Sequence, residues 1–126
     1  MMRRALFFVT TIFGLMTDGA FAAGDVAAGE KVFQRCNSCH EVADGTAKKG
    51  PTLRGVVGRP VASVDGFAYS DGLKAFAATG AVWDEATLDK FLQDINGFVK
   101  GMRMAMTPVY RDADRANLIA FVKSNI

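Results

Sequence analysis

The chain has few of the residues from which proteins build metal clusters and disulfide networks. Its 126 residues include one histidine, two cysteines, one tryptophan and three prolines. A structural zinc site needs more ligands than two thiols and a single imidazole can supply. The sequence shows no repeat, no low-complexity tract and no βαβ pattern. Its 15 basic residues nearly balance its 13 acidic ones, so the charge gives no support for nucleic-acid binding.

Both cysteines and the histidine fall in one short motif, Cys36-Asn37-Ser38-Cys39-His40. Two thiols separated by two residues on a helical turn can each add to a vinyl group of haem, which leaves two thioether bonds. The adjoining imidazole then faces the iron as its proximal ligand. Thioredoxin-like redox pairs, zinc half-sites and plain disulfides share the spacing, but each fits this chain poorly. The motif therefore predicts one covalently attached haem c per chain.

The first 22 residues have the features of a secretory signal peptide. A cationic start at Arg3 and Arg4 precedes the apolar run Ala5–Met16, and Ala20-Phe21-Ala22 offers small residues for a signal peptidase. The run is shorter than the roughly 20 residues that a membrane-spanning helix needs. We expect cleavage after Ala22, a periplasmic location and one domain over residues 23–126.

The remaining sequence predicts helices joined by irregular loops, an all-α fold. N-cap residues mark helix starts at Asp25, Ser70, Asp84 and Asp112, and the first helix is expected to run through Cys36. The third helix repeats apolar residues at the spacing of one helical face, through Leu88, Phe91, Leu92 and Ile95. That face suits a haem pocket as well as an ordinary core.

Two loops carry further signals. Residues 49–60 contain three glycines and two prolines, which favours an irregular loop around the haem. Gly97 and Gly101 bracket a second loop after the third helix, and Met102, Met104 and Met106 follow in the segment 100–108. Any of these thioethers could be a sixth ligand to the iron, and methionine also commonly fills cores. Spacing alone does not choose between the three.

The chain resembles the soluble class I cytochromes c over almost its whole length after residue 22. The attachment motif carries the resemblance, with Gly29 and Phe33 before it and Phe121 in the last helix. The resemblance implies a small helical domain wrapped around one haem. It also implies roles for several individual residues. Pro51 accepts a hydrogen bond from the proximal imidazole; Arg59, Tyr69 and Trp83 bond the haem propionates; His40 and Met104 are the axial ligands.

Three positions depart from the pattern of the family. Met102 stands where relatives have a threonine that bonds a propionate, and it is also a rival ligand. Met106 replaces an aromatic residue that often covers the haem edge, and Phe91 replaces a tyrosine that bonds the ligand sulfur. The sixth ligand is therefore expected to be less constrained than in those relatives.

The resemblance implies a one-electron carrier and not an enzyme. Its expected partners are a membrane quinol-oxidising complex as donor and a terminal oxidase or photosynthetic reaction centre as acceptor, with the chain acting as a monomer. Basic residues near the haem edge are candidates for docking acidic partners: Lys31, Arg35, Lys48, Lys49, Lys100 and Arg103. The alternative is a ligand-labile haem protein, a gas sensor or peroxidase, although the single histidine leaves no distal imidazole for peroxide chemistry.

Overall fold

The structure is a computed structural model that describes residues 23–126. The predicted signal peptide therefore lies outside the described residues. Five α-helices occupy this region: α1 (Val26–Phe33), α2 (Asp71–Ala77), α3 (Glu85–Gln93), α4 (Ile95–Phe98) and α5 (Asp112–Ser124). Between residues 23 and 126 the extended pairing is limited to one antiparallel bridge, from Pro60 to Val82. The predicted helical architecture is confirmed.

Three predicted helix starts are confirmed by their caps. Asp25, Ser70 and Asp84 each accept a hydrogen bond from the backbone N–H three residues later, at 2.8, 3.2 and 2.7 Å. A side-chain oxygen at this position satisfies one of the N–H groups that the first helical turn leaves without a partner. These caps fix where α1, α2 and α3 begin.

Two predicted helix bounds are wrong. Helix α1 ends at Phe33 and not at Cys36. Directly after Phe33 the backbone hydrogen bonds join residues three apart, as in a 3₁₀ turn; the Cys36 N–H, for example, donates to the Phe33 carbonyl at 2.7 Å. The cap of α5 is Arg111, which makes no side-chain capping bond. Asp112 is already helical, and its carboxylate accepts instead from Arg115.

A fourth helix interrupts the predicted loop before the methionines. Asp94 ends α3 and also caps α4, where it accepts from the Gly97 N–H at 3.0 Å. Ile95, predicted as the last apolar position of α3, begins α4 and is fully buried. Gly97 therefore lies in a helix, whereas Gly101 (φ +72°) lies in the loop as expected.

Helices α1 and α5 cross at close range on one side of the molecule, and α3 packs against α5. A β-carbon on Gly29 would lie 1.9 Å from the Asn117 carbonyl oxygen, so the crossing requires glycine. Phe33 and Phe121 pack beside it with ring centroids 5.2 Å apart. The crossing joins the two ends of the described chain, and the segments between these helices supply the residues of the site.

Candidate functional site

The attachment motif forms a hydrogen-bonded turn directly after α1. The His40 and Cys39 N–H groups both donate to the Cys36 carbonyl, at 2.9 and 3.1 Å. Both cysteines are free thiols, Cys36 buried and Cys39 half-buried. Burial raises the pKa of the Cys36 thiol, and the nearby Arg35 only partly opposes this. The turn presents two thiols and one imidazole on a single short stretch of backbone.

The His40 ring is held by the loop that follows. Its Nδ1 lies 2.7 Å from the Pro51 carbonyl oxygen. A carbonyl can only accept, so Nδ1 carries the proton and Nε2 keeps its lone pair for a metal. Burial lowers the pKa of His40 against the opposing effect of the Pro51 bond, and the cations of Arg59 and Lys48 lower it further. The imidazole is therefore neutral, as a metal ligand must be.

Gly50 lets the loop approach that ring. A β-carbon at this position would lie 2.4 Å from Cε1 of His40, well inside normal contact. The Gly50 N–H donates to the Cys39 carbonyl at 2.8 Å, which ties the loop to the attachment turn. The sequence marked this glycine only as part of an irregular loop. Its contact with the imidazole becomes visible only in the structure.

The turn opens into a cavity of about 630 Å³, which we call the haem cavity. Its lining combines Cys36, Cys39 and His40 with an apolar wall from α3, made by Leu88, Phe91 and Leu92. The apolar face of α3 thus serves both the core and the cavity. A second cavity, of about 330 Å³, lies between α3 and α5 and contains none of these groups.

The three methionines predicted as candidate ligands all line the haem cavity. They lie on a segment outside the helices, residues 102–106, in which Met102, Met104 and Met106 are half-buried and the residues between them are exposed. All three methionine side chains pack against the hydrophobic core. The structure thus brings the methionine loop and the attachment turn to one cavity.

The four supporting residues predicted from the resemblance are also at this site. Pro51, Arg59, Tyr69 and Trp83 all line the haem cavity. Arg59 is half-buried and donates to the Thr52 carbonyl at 2.9 Å, and no carboxylate in residues 23–126 forms an ion pair with it. Burial lowers the pKa of this guanidinium, although it stays far above neutrality.

The two aromatic residues of this set have different polar environments. The Tyr69 hydroxyl accepts a hydrogen bond from the Val64 N–H at 3.1 Å, which leaves its own proton free for another acceptor. Trp83 is buried, with its ring centroid 5.0 Å from that of Phe91. Its backbone N–H donates to the Arg59 carbonyl at 2.9 Å, so Trp83 and Arg59 are held together.

Two arginines tie the methionine segment to other parts of the cavity. Arg35, just after α1, donates to the Thr107 carbonyl at 2.8 Å. Arg103 donates to the Ala68 carbonyl. The sequence identified both only as possible docking charges. Their carbonyl partners are 72 and 35 residues away along the chain, and no local pattern indicates such pairs.

The residues present fit a covalently bound haem. Two free thiols, a neutral imidazole with one open nitrogen and three thioethers converge on a mainly apolar cavity. Beside them lies the guanidinium of Arg59, which forms no ion pair within residues 23–126. This set matches the vinyl groups, iron, apolar ring and anionic propionates of haem. Fold and site together define a helical haem-binding protein.

Comparison with known proteins gives the same class. The sequence profile of cytochrome c matches residues 26–125. Cytochrome c2 from Rhodomicrobium vannielii is 45% identical over 105 residues, covering 82% of this chain and 81% of that protein. Cytochrome c-550 from Ancylobacter novellus is 36% identical over 99 residues, covering 78% of this chain and 92% of that protein.

A solved structure agrees. Cytochrome cH from Methylobacterium extorquens superposes with a TM-score of 0.73 at 38% identity, covering 80% of this chain and 99% of that one. The chain belongs to the cytochrome c family, and its cofactor is covalently bound haem c. Over residues 23–126, the helices are too short or too polar to cross a membrane.

Proposed function

We propose that this chain is a periplasmic one-electron carrier whose haem iron is held by His40 and Met104. The observation that carries the proposal is that a neutral imidazole and a methionine segment share one mainly apolar cavity with two free thiols. Cys36 and Cys39 would hold the group through thioether bonds. When bound, haem c supplies an iron that alternates between the ferrous and ferric states.

The chain's own residues set the conditions for that exchange. The Pro51 carbonyl orients His40, and the soft thioether of Met104 favours the ferrous state. The apolar side chains from α3 exclude water and disfavour the extra charge of the ferric state. Two protein ligands leave no open position for a substrate. This supports electron transfer through the haem edge over catalysis.

Arg59, Tyr69 and Trp83 would bind the haem propionates. Arg59 lacks an ion-pair partner in residues 23–126, and the Tyr69 hydroxyl retains a proton to donate. A guanidinium beside two carboxylates forms strong, charge-assisted hydrogen bonds. The propionates are therefore the natural partners of this half-buried cation.

Docking would use the rim of the haem cavity. Arg35, Lys49 and Arg103 line it, and none of them takes part in an ion pair between residues 23 and 126. The ion pairs of that region instead join side chains of α2, α3 and α5 and the residue before α5. This asymmetry supports partners with acidic docking surfaces. The similarity to cytochromes c2 supports a membrane quinol-oxidising complex as donor and an oxidase or photosynthetic reaction centre as acceptor.

The periplasmic location and the monomeric state belong to the same proposal. The location depends on cleavage after Ala22, which the mass of the exported protein would test. The alternative, a gas sensor or peroxidase, requires an iron position that exogenous ligands can reach. His40 is the only histidine in the sequence, so a distal imidazole would be missing.

Carbon monoxide tests the ligation directly. The holoprotein, made in a host that attaches c-type haem, is reduced, and its visible spectrum is recorded before and after carbon monoxide is added. An unchanged spectrum is expected, because a strong sixth ligand excludes the gas. A large shift would mean an open or labile iron and would overturn the carrier in favour of the sensor or peroxidase.

A further inference from the structure

The methionine segment carries more thioethers than one iron needs. Met102, Met104 and Met106 are the half-buried residues of an alternating stretch, and all three line the haem cavity. Residues two apart in a chain are separated by at most roughly 7 Å along the backbone. A rearrangement of up to that distance within the segment would therefore bring a neighbouring thioether to the place that Met104 holds.

The ends of the segment are fastened. On the N-terminal side, a β-carbon on Gly72 would lie 1.7 Å from the Lys100 carbonyl oxygen, so α2 lies directly against the chain there. On the C-terminal side, Arg35 binds the Thr107 carbonyl and the Val109 N–H donates to the Leu92 carbonyl at 2.9 Å. Both ends are thus held near the cavity.

The middle of the segment is much less restrained. Among the described residues, no backbone N–H from 102 to 108 donates a hydrogen bond within the chain. A local shift would therefore break no backbone bond donated by these residues. The principal side-chain attachment inside the segment runs from Arg103 to the Ala68 carbonyl, and Arg103 is exposed and has a flexible stem. Methionine itself has three rotatable bonds, which widen its reach.

From this arrangement we propose that Met102 and Met106 are reserve axial ligands, so that the loss of the Met104 thioether leaves the iron closed by one of its neighbours. This rests on the proposed His40 and Met104 ligation. The cavity offers few competing groups: both thiols are consumed by haem attachment, and His40 is the proximal ligand. A thioether needs no deprotonation to bind iron.

The experiment uses four holoprotein variants, in which leucine replaces methionine at similar volume without a ligating sulfur. Three retain one methionine each: M102L/M106L keeps Met104, M104L/M106L keeps Met102, and M102L/M104L keeps Met106. The fourth, M102L/M104L/M106L, keeps none. The readouts at neutral pH are the upfield-shifted methionine methyl resonance of the reduced protein and its titration with carbon monoxide.

The methyl resonance is expected in M102L/M106L, in at least one of the other two double variants, and not in the triple variant. A site that a reserve thioether closes for nine-tenths of the time binds carbon monoxide about tenfold more weakly than the open triple variant. Circular dichroism confirms that each variant retains its helices. The comparison therefore separates ligand replacement from unfolding.

The outcomes also separate the two proposals. If M104L/M106L and M102L/M104L both lose the resonance and bind carbon monoxide as tightly as the triple variant, the reserve ligands are refuted and the carrier stands. If M102L/M106L loses the resonance that the unmodified protein has, the reserve scheme fails because Met104 is not the native ligand. If the unmodified protein has no such resonance, the proposed His/Met ligation itself fails.

Discussion

The backbone of Gly29 in α1 lies directly against the carbonyl of Asn117 in α5. A β-carbon on residue 29 would be 1.9 Å from that oxygen and 2.8 Å from the β-carbon of Phe121. The contact sets how closely the two terminal helices cross. Along the chain, Phe33 separates Gly29 from the attachment turn. A change at Gly29 is therefore expected to lower the stability of the fold more than it alters the haem site.

Replacing Gly29 with alanine should destabilise the holoprotein by about 3 kcal/mol, because overpacking against backbone has no flexible neighbour to yield. Helix propensity alone predicts the opposite, a gain of about 1 kcal/mol. Denaturant unfolding followed by circular dichroism decides between the two effects. Glu30→Ala, exposed on the same helix, is the matched control and should stay within about 0.5 kcal/mol of the parent.

Gly50→Ala should disturb the proximal ligand, because the new methyl group would occupy space that the His40 ring holds. Strain of about 1–3 kcal/mol would displace either the ring or the Pro51 carbonyl that orients it. The expected result is a changed visible spectrum and less haem attached per chain. Ala47→Ser, exposed three residues before Gly50, should leave both unchanged. A parental spectrum for Gly50→Ala would show that the loop can move away without cost.

Arg115 is a buried cation that fastens the start of α5. It is 3% exposed and donates to the Val109 and Tyr110 carbonyls at 2.8 Å each and to Asp89 at 2.7 Å. Arg115→Leu leaves these acceptors without their donor, so we expect a loss of about 3 kcal/mol in the free energy of unfolding.

Arg115→Lys keeps the charge but loses the planar fork, and it should fall between the leucine variant and the parent. Arg111→Gln is the control, since Arg111 is exposed and its contact with Asp114 is 3.9 Å. Such surface pairs contribute at most about 1 kcal/mol. Equal losses in Arg115→Leu and Arg111→Gln would contradict a role for the buried network.

Charge steering makes a kinetic prediction. Lys49→Gln removes a cation from the rim of the haem cavity, so reaction with an acidic redox partner at low salt should slow by about twofold to threefold. Lys123→Gln, beside Glu85 at the second cavity, should have little effect. At high salt the rates of the parent and of both variants should converge, because screening removes the attraction. Stopped-flow mixing with a purified oxidase measures this, and a rate independent of ionic strength rules steering out.

Local sequence signals predicted the helices better than the contacts between them. The caps at Asp25, Ser70 and Asp84 could be predicted because each bond spans three residues. The cap at Arg111 and the helix α4 were not predicted. Asp112 has the residue type of a cap but is used by a buried arginine, and the brief α4 is too short to show periodicity.

The site divides in a similar way. Cys36, Cys39 and His40 form a contiguous motif whose chemistry needs no tertiary structure to identify. The contact of Gly50 with the imidazole, and the bond from Arg35 to the Thr107 carbonyl, join parts of the chain that no pattern relates. The resemblance to a family predicted a third group of site residues, which neither the motif nor a local pattern identifies: Pro51, Arg59, Tyr69 and Trp83. The structure does not single out Met104 from Met102 and Met106, because it brings all three thioethers to one cavity.

The alternation of half-buried and exposed residues along 102–106 also bears on which positions can be substituted. The three methionines pack against the core, whereas Arg103 and Ala105 are exposed at the rim of the haem cavity. A substitution at Ala105 is therefore expected to change the exposed rim more than the packing of the three thioethers. Position 105 thus offers a place at which the docking surface can be varied while the cofactor site keeps its lining.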